Sequence, residues 1–230
     1  MRSPLELDLS YNHPGDSGVK LFSAGLEDPT WRLHKLNLDH GGELRMKSGP
    51  RKYAVNLTLD PNTANSRLSL SEGNRKVTCK KKKQWYPDNP KRFEYGNQIL
   101  CKEGLTRRCY WEVEWCGIEV SISVTYKGIN RRGMGEDSQL GHNNKSWSLY
   151  CYENIYYASH NKEFTSITPT ASWSNRVGVY LDWPSGILSF YSVFSDTLTH
   201  IHTFHSTFTE EIYPGFGIGS GSSVSLCKVE

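Results

Sequence analysis

The sequence predicts a mainly β protein, an antiparallel sandwich or barrel, led by a short segment in which strand and helix alternate. Three observations carry this expectation. Short runs rich in β-branched and aromatic residues recur at roughly ten-residue spacing between Gly, Pro, Asn and Asp turns. The run Tyr110-Trp111-Glu112-Val113-Glu114-Trp115 has period two, with Trp111, Val113 and Trp115 on one face and Tyr110, Glu112 and Glu114 on the other. Burying two indoles and a valine contributes on the order of 5 kcal/mol of gross hydrophobic stabilisation, so that strand belongs in a core. The leucines of residues 1–46 follow a different pattern.

In that first segment, Leu5, Leu7 and Leu9 alternate and Asn12 follows. Residues 18–26 then place apolar side chains at helical spacing, with Asp16 or Ser17 available as N-cap. Leu33, Leu36 and Leu38 restart the strand pattern. The interval from Leu7 to Leu36, 29 residues, lies within the range of leucine-rich repeats. The segment resembles the ribonuclease-inhibitor type of that repeat, with Gly41 where a second ladder Asn would stand. One repeat cannot cover its own faces, so residues 1–46 are expected to be the end of a longer solenoid and the chain part of a longer polypeptide.

From Tyr53 the helical signal stops. Residues 53–59 alternate, and Asp60-Pro61-Asn62-Thr63 is a turn with its own hydrogen-bonding side chains. Leu68, Leu70, Val77, Ile99 and Leu100 continue the short strands. Ile118, Val120, Ile122 and Val124 are expected on one face of the next, and residues 147–152, 176–181 and 187–191 each fit a strand between turns.

These residues carry a family resemblance. Leu59-Asp60-Pro61, Leu68-Ser69-Leu70-Ser71-Glu72, Pro90-Lys91-Arg92-Phe93, residues 110–115, Leu181-Asp182-Trp183 with Leu188-Ser189-Phe190-Tyr191, and Tyr213-Pro214-Gly215-Phe216 follow one another as the motifs of a PRY-SPRY domain do. Residues 104–110 and 141–147 are similar to the fish versions, found in NOD-like receptors, tripartite-motif proteins and stonustoxin-like toxins. The resemblance implies a bent, concanavalin-like antiparallel β-sandwich over residues 47–230, with PRY about 47–105 and SPRY about 106–230, binding protein through loops at one end and without catalysis. A leucine-rich end before such a domain is similar to the C-terminal architecture of fish NOD-like receptors. The expectation is therefore an innate immune receptor module. The alternatives are the C-terminal domain of a stonustoxin-like pore-forming toxin subunit and the substrate-recognition domain of a tripartite-motif ubiquitin ligase.

Composition limits the remaining classes. In 230 residues, 37% are hydrophobic and 22% charged, with 20 glycines and 10 prolines, which describes a turn-rich globular chain. A net charge of +3 is too small to point to nucleic acid. No apolar run approaches the ~18 residues of a membrane span, and the first residues lack the apolar core of a signal peptide, so a cytoplasmic protein with no membrane segment in this chain is expected. The six scattered cysteines are expected to be reduced, several of them as small buried hydrophobes. Asn56-Leu57-Thr58 and Asn144-Lys145-Ser146 are glycosylation sequons, relevant only to an exported protein.

Candidate chemistry is sparse. His200 and His202 lack the third and fourth converging ligands that zinc requires. The glycines of residues 215–221 follow no βαβ unit, and no GxSxG elbow is present. Asp182 precedes a tight turn whose donors its carboxylate can satisfy. No cofactor or metal is expected. Binding candidates fall in three patches. The long segment 80–95 combines Lys81, Lys82 and Lys83 for steering with Trp85 and Tyr86 for contact. Tyr150, Tyr152 and Tyr156, with Tyr157, form an aromatic patch in which Tyr150 and Tyr152 fall at positions the resembled family uses for ligand contact, although Ser159 stands where an aromatic is expected. Lys127, Arg131 and Arg132 lie on a flexible basic loop able to clamp an anionic ligand.

Overall fold

A computed structural model of the chain describes residues 5–8, 33–37, 49–153, 155–168, 174–195 and 197–229. It divides into two compact units, Met1–Tyr53 and Ala54–Glu230. In the first, strands β1 (Leu5–Asp8) and β2 (Leu33–Asn37) pair in parallel, with Leu7 opposite Leu36. Gly49–Tyr53 forms a 3-10 turn. The helix expected over residues 18–26 and the positions of Asn12 and Gly41 lie outside the described residues.

The second unit consists of two antiparallel sheets. Its strands are β3 (Leu68–Ser71), β4 (Lys76–Cys79), β5 (Gln98–Leu100), β6 (Arg108–Cys116), β7 (Glu119–Tyr126), β8 (Ser146–Tyr152), β9 (Ile155–His160), β10 (Glu163–Ile167), β11 (Arg176–Asp182), β12 (Ile187–Phe194), β13 (Thr197–His205), β14 (Ile212–Ile218) and β15 (Ser223–Leu226). A seven-stranded sheet runs β13-β12-β11-β6-β15-β4-β3, and a six-stranded sheet runs β10-β9-β8-β7-β14-β5. Strand β6 lies at the centre of the larger sheet, with Val179 opposite Trp111 on one side and Val224 opposite Trp115 on the other. Trp111, Val113 and Trp115 are buried in one cluster with Ile122, Leu149 and Phe216 of the facing sheet.

The second face of β6 is closed as well. Tyr110 is fully buried and Glu112 is 1% exposed. A buried carboxylate requires partners. Glu112 accepts hydrogen bonds from the Tyr110 hydroxyl at 2.7 Å and from Arg176 Nε at 2.6 Å. Gly178 stands opposite Glu112, and a Cβ there would lie 2.3 Å from the Tyr110 hydroxyl, so the ring is accommodated because the neighbouring residue has no side chain.

Two strand expectations need correction. Residues 53–59 do not form a continuous strand, because their hydrogen bonds diverge: Val55 N donates to Tyr110 O, whereas Leu59 N donates to Asn74 O. Isolated bridges at Ala54 and Leu59 are what remains. Ile118 lies outside β7 and is 60% exposed, while Val120, Ile122 and Val124 are buried as expected.

Candidate functional site

The outer face of the six-stranded sheet is divided by residue size. Strand alternation sends Val120, Ile122, Leu149, Cys151 and Tyr156 inward. Ser121, Ser123, Ser148, Tyr150, Tyr157 and Ser159 occupy the alternate positions, paired across β7, β8 and β9 as Ser123↔Ser148↔Ser159 and Ser121↔Tyr150↔Tyr157. Where the row is all serine, a loop lies on the sheet. Gly141 has φ +85°, and a Cβ on it would lie 2.4 Å from Ser159 Oγ and 2.6 Å from Ser148 Cβ. Leu140 N donates to Gln98 Oε1 and Gln98 Nε2 donates to Ser138 O, both at 2.8 Å, which ties the loop to β5. Leu140 packs with Phe93, Leu100 and Ile129 in a second, smaller core.

Where the row carries tyrosines, the face is open. A cavity of about 700 Å³ has Tyr95, Gln98, Glu119, Met134, His142 and Tyr150 among its lining residues. The Tyr150 ring is parallel to Tyr152, with centroids 6.3 Å apart, and lies 6.2 Å from Tyr157. The Tyr150 hydroxyl donates to Glu119 Oε2. Burial and that carboxylate hold the phenol well above its ordinary range, so it stays protonated and oriented. His142 stands edge-on to Phe164 at 5.2 Å, and burial lowers its pKa against the opposing pull of Glu136. The wall pairs an exposed thioether, Met134, with aromatic rings and convergent polar groups, a composition suited to recognising a protein side chain.

The residues expected from sequence separate into distinct places. Tyr150 and Tyr152 are on the open face. Tyr156 is not: it is 1% exposed, opposite Cys151, and its hydroxyl donates to Ser174 O at 3.3 Å. A partner-contact role for Tyr156 is therefore replaced by a core role, and Tyr157 is the β9 tyrosine that faces outward. Ser159, where an aromatic is expected, is buried at 3% exposure beneath Gly141, where a ring would collide with the loop.

The segment from residue 80 is pinned. Lys80 N donates to Arg67 O and Gln84 N to Ser66 O, and Arg92 Nη1 reaches Pro61 O and Ala64 O. Tyr86 is half-buried and anchors this segment: its hydroxyl donates to Leu68 O at 2.8 Å and the Arg92 guanidinium lies 4.6 Å over its ring. Trp85 is 87% exposed, and Lys81, Lys82 and Lys83 are exposed beside it. Trp85 does not line the tyrosine cavity.

The basic loop is not uniformly free either. Arg132 and Lys127 are exposed, but Arg131 is half-buried, stacked 4.4 Å over Phe93, with Nη2 donating to Lys127 O. Lys127 and Arg131 line a separate cavity of about 300 Å³. Sequence reasoning missed Glu119, Gln98, Met134 and His142. Strand register places Gln98 and Glu119 beside Tyr150, and the loop between β7 and β8 brings Met134 and His142 there, although the Gly-Met-Gly run at residues 133–135 marks a loop whose exposed Met134 calls for an explanation.

The remaining candidates are accounted for locally. His200 Nε2 is 2.8 Å from Thr203 Oγ1, and His202 stands edge-on to Phe204 at 4.5 Å. Among the described residues no group of three or more His, Cys, Asp and Glu is placed to hold a metal. Asp182 accepts from Arg108 Nε at 2.8 Å and from Ser185 N at 3.2 Å. Cys79, Cys101, Cys109 and Cys151 are buried free thiols.

The chain matches the SPRY-associated domain (PRY) over residues 57–105 and the SPRY domain over residues 108–229. It is 46% identical over 168 residues to stonustoxin subunit beta of Synanceia horrida, covering 73% of this chain and 24% of that protein. It is 39% identical over 169 residues to tripartite motif-containing protein 16 of Mus musculus, covering 72% and 30%. The chain thus spans about a quarter of the length of the toxin subunit. Among solved structures, the crystal structure of the TRIM65 PSpry domain superposes with TM-score 0.72 at 30% identity, covering 81% of this chain and 95% of that one. The stonustoxin structure superposes with TM-score 0.71 at 43% identity, covering 77% and 28%.

Proposed function

The chain belongs to the SPRY family of protein-interaction modules, and from that premise we propose that it is the non-catalytic ligand-recognition end of a cytoplasmic NOD-like innate immune receptor. The observation that carries the recognition reading is the division of the six-stranded sheet's outer face into a loop-covered serine half and an open tyrosine half. Rings held by partner rings and by Glu119 lose little entropy on contact, which is how a preformed site gains affinity. Tyr150 donates to Glu119, and burial together with that carboxylate keeps the proton on the phenol, which favours a binding role for the ring. The receptor context rests on the leucine pattern of residues 1–46 and on the parallel pairing of β1 with β2.

The recognition reading is tested by affinity capture on the 230-residue chain and its Tyr150→Ala and Met134→Ala variants. A specific protein captured by the parent and lost in both variants, with unchanged melting, supports it. Equal capture by all three overturns it.

The likeness to the stonustoxin subunit favours a second reading, the C-terminal domain of a pore-forming toxin subunit. Asn56 and Asn144 are exposed and open to modification, so native material separates the contexts. Glycan on either asparagine indicates export and sinks the cytoplasmic receptor. Unmodified asparagines in cytosolic material sink the toxin.

A further inference from the structure

The smaller cavity, at the flank of the six-stranded sheet, differs in character from the tyrosine face. Lys91, Lys102, Lys127 and Arg131 line it, and Asp60 is its one carboxylate, leaving a formal excess of three positive charges around about 300 Å³. Among the described residues no ion pair engages Lys91, Lys102 or Lys127. Tyr213 completes the wall, with Lys127 Nζ 5.8 Å from its ring centroid, and Leu100 and Ile129 supply an apolar side.

Arg131 makes the site rigid. Its guanidinium lies over Phe93 and bonds to Lys127 O, its backbone carbonyl accepts from Glu94 N, and its Nη1 has no acceptor among the described residues. Burial lowers its pKa to about 10, with Asp60 opposing, so the cation is retained at neutral pH although it is poorly compensated. A recess with low-dielectric walls and one sign of charge concentrates counter-ions.

The geometry points to a phosphoryl-group site in this recess, one that takes the phosphorylated side chain of a protein partner between Lys91, Lys102, Lys127 and Arg131. A dianion matches the charge excess better than a single carboxylate does, and three acceptor oxygens match several separate cations. The recess favours a protruding phosphorylated side chain over a bilayer, because Lys91, Lys102 and Lys127 are exposed around it but Arg131 is half-buried, and only a group that enters the recess meets all four. Tyr213, Leu100 and Ile129 supply the surface on which the flanking carbon atoms of such a side chain rest. This inference deepens the protein-recognition reading and depends on it for the source of the phosphate, while the bare anion tests the site alone.

The test is calorimetric titration of the full chain with inorganic pyrophosphate, with a phosphotyrosine peptide and its unphosphorylated form, and with phosphatidylserine vesicles. Lys102→Gln with Lys127→Gln is the diagnostic variant, since both side chains are exposed and the backbone hydrogen bonds of Lys102 are untouched. Expected are saturable pyrophosphate binding at millimolar concentration or below, preference for the phosphorylated peptide, and at least about tenfold loss in the double variant. Tyr150→Ala retains pyrophosphate binding, so failure of the recognition face leaves this result standing. Binding indifferent to the double variant, absence of saturation, or vesicle binding stronger than peptide binding overturns the proposal.

Discussion

Gly141 lies against Ser159 so closely that a Cβ on the glycine would be 2.4 Å from the serine hydroxyl oxygen. The contact decides which half of the sheet face is available to a ligand. The loop carrying Gly141, Leu140 and His142 covers the serine row, and the tyrosine row beside it is left open. Gly141→Ala meets both the left-handed φ of +85° and the Ser148 and Ser159 side chains, and is expected to cost about 1–3 kcal/mol. Urea unfolding measures the cost. Hydrogen exchange at the amide of Leu140, which bonds to Gln98, reads whether the loop has lifted.

Trp111→Ala removes a fully enclosed indole from the centre of the main core and is expected to cost about 3–5 kcal/mol. Trp85→Ala, at an exposed position, is expected to change stability by no more than about 0.5 kcal/mol. Parallel denaturation curves on the two variants separate core indole from surface indole.

These two tryptophans also mark how far the sequence was readable. Trp111 was legible because period two needs no knowledge of neighbours: alternate apolar residues in a strand face a core. Tyr156 and Tyr157 were not, because adjacent residues in one strand face opposite ways and the phase is set by pairing. Cys151 opposite Tyr156 puts that ring inside, and nothing in residues 150–157 alone states the register. Glu112 shows the same limit from the other side. Alternation puts it on the face opposite the indoles and says nothing of what covers that face, and it is Arg176, 64 residues away in the chain, that makes its burial tolerable. The recognition face belongs to this second kind of information, since Gln98, Glu119, Met134 and Tyr150 meet only after the sheet is assembled.

The Glu112 and Arg176 pair yields a direct consequence. Glu112→Ala leaves the buried Tyr110 hydroxyl and the partly exposed Arg176 guanidinium without this carboxylate. Because water reaches Arg176, the cost is expected to be that of the lost charge-assisted hydrogen bonds, about 1–3 kcal/mol. Glu112→Gln keeps the shape and one acceptor, so its loss should be the smaller. Chemical denaturation of both variants checks the order, and an equal loss would refute the assignment of the charge as the stabilising element.

Tyr86 separates anchoring from contact. Tyr86→Phe deletes the hydrogen bond to Leu68 O but leaves the ring beneath Arg92, and is expected to cost about 0.5–1.5 kcal/mol. If Tyr86 anchors the segment, Tyr86→Ala should also loosen it, visible as faster hydrogen exchange at the Gln84 amide, which bonds to Ser66 O. Unaltered exchange there would refute the anchoring role.

Acid should act on the wall of the recognition cavity through His142. Burial lowers its folded pKa below 6.5, and the Glu136 carboxylate only partly offsets that shift. The unfolded chain therefore binds the proton more readily than the folded one. Stability from this group is present in full above about pH 6.5 and declines as pH falls toward and through the folded pKa, below which it stays lost. His142→Gln cannot take up the proton, so its denaturation midpoint should fall less than the parent's between pH 7.5 and 5.5. The imidazole resonance in a proton NMR titration gives the pKa directly. Titration at or above 6.5 would show that Glu136 outweighs burial, and the acid sensitivity would then have to arise elsewhere. Because His142 itself lines the cavity beside Tyr150, ligand capture on the tyrosine face should weaken over the same pH interval.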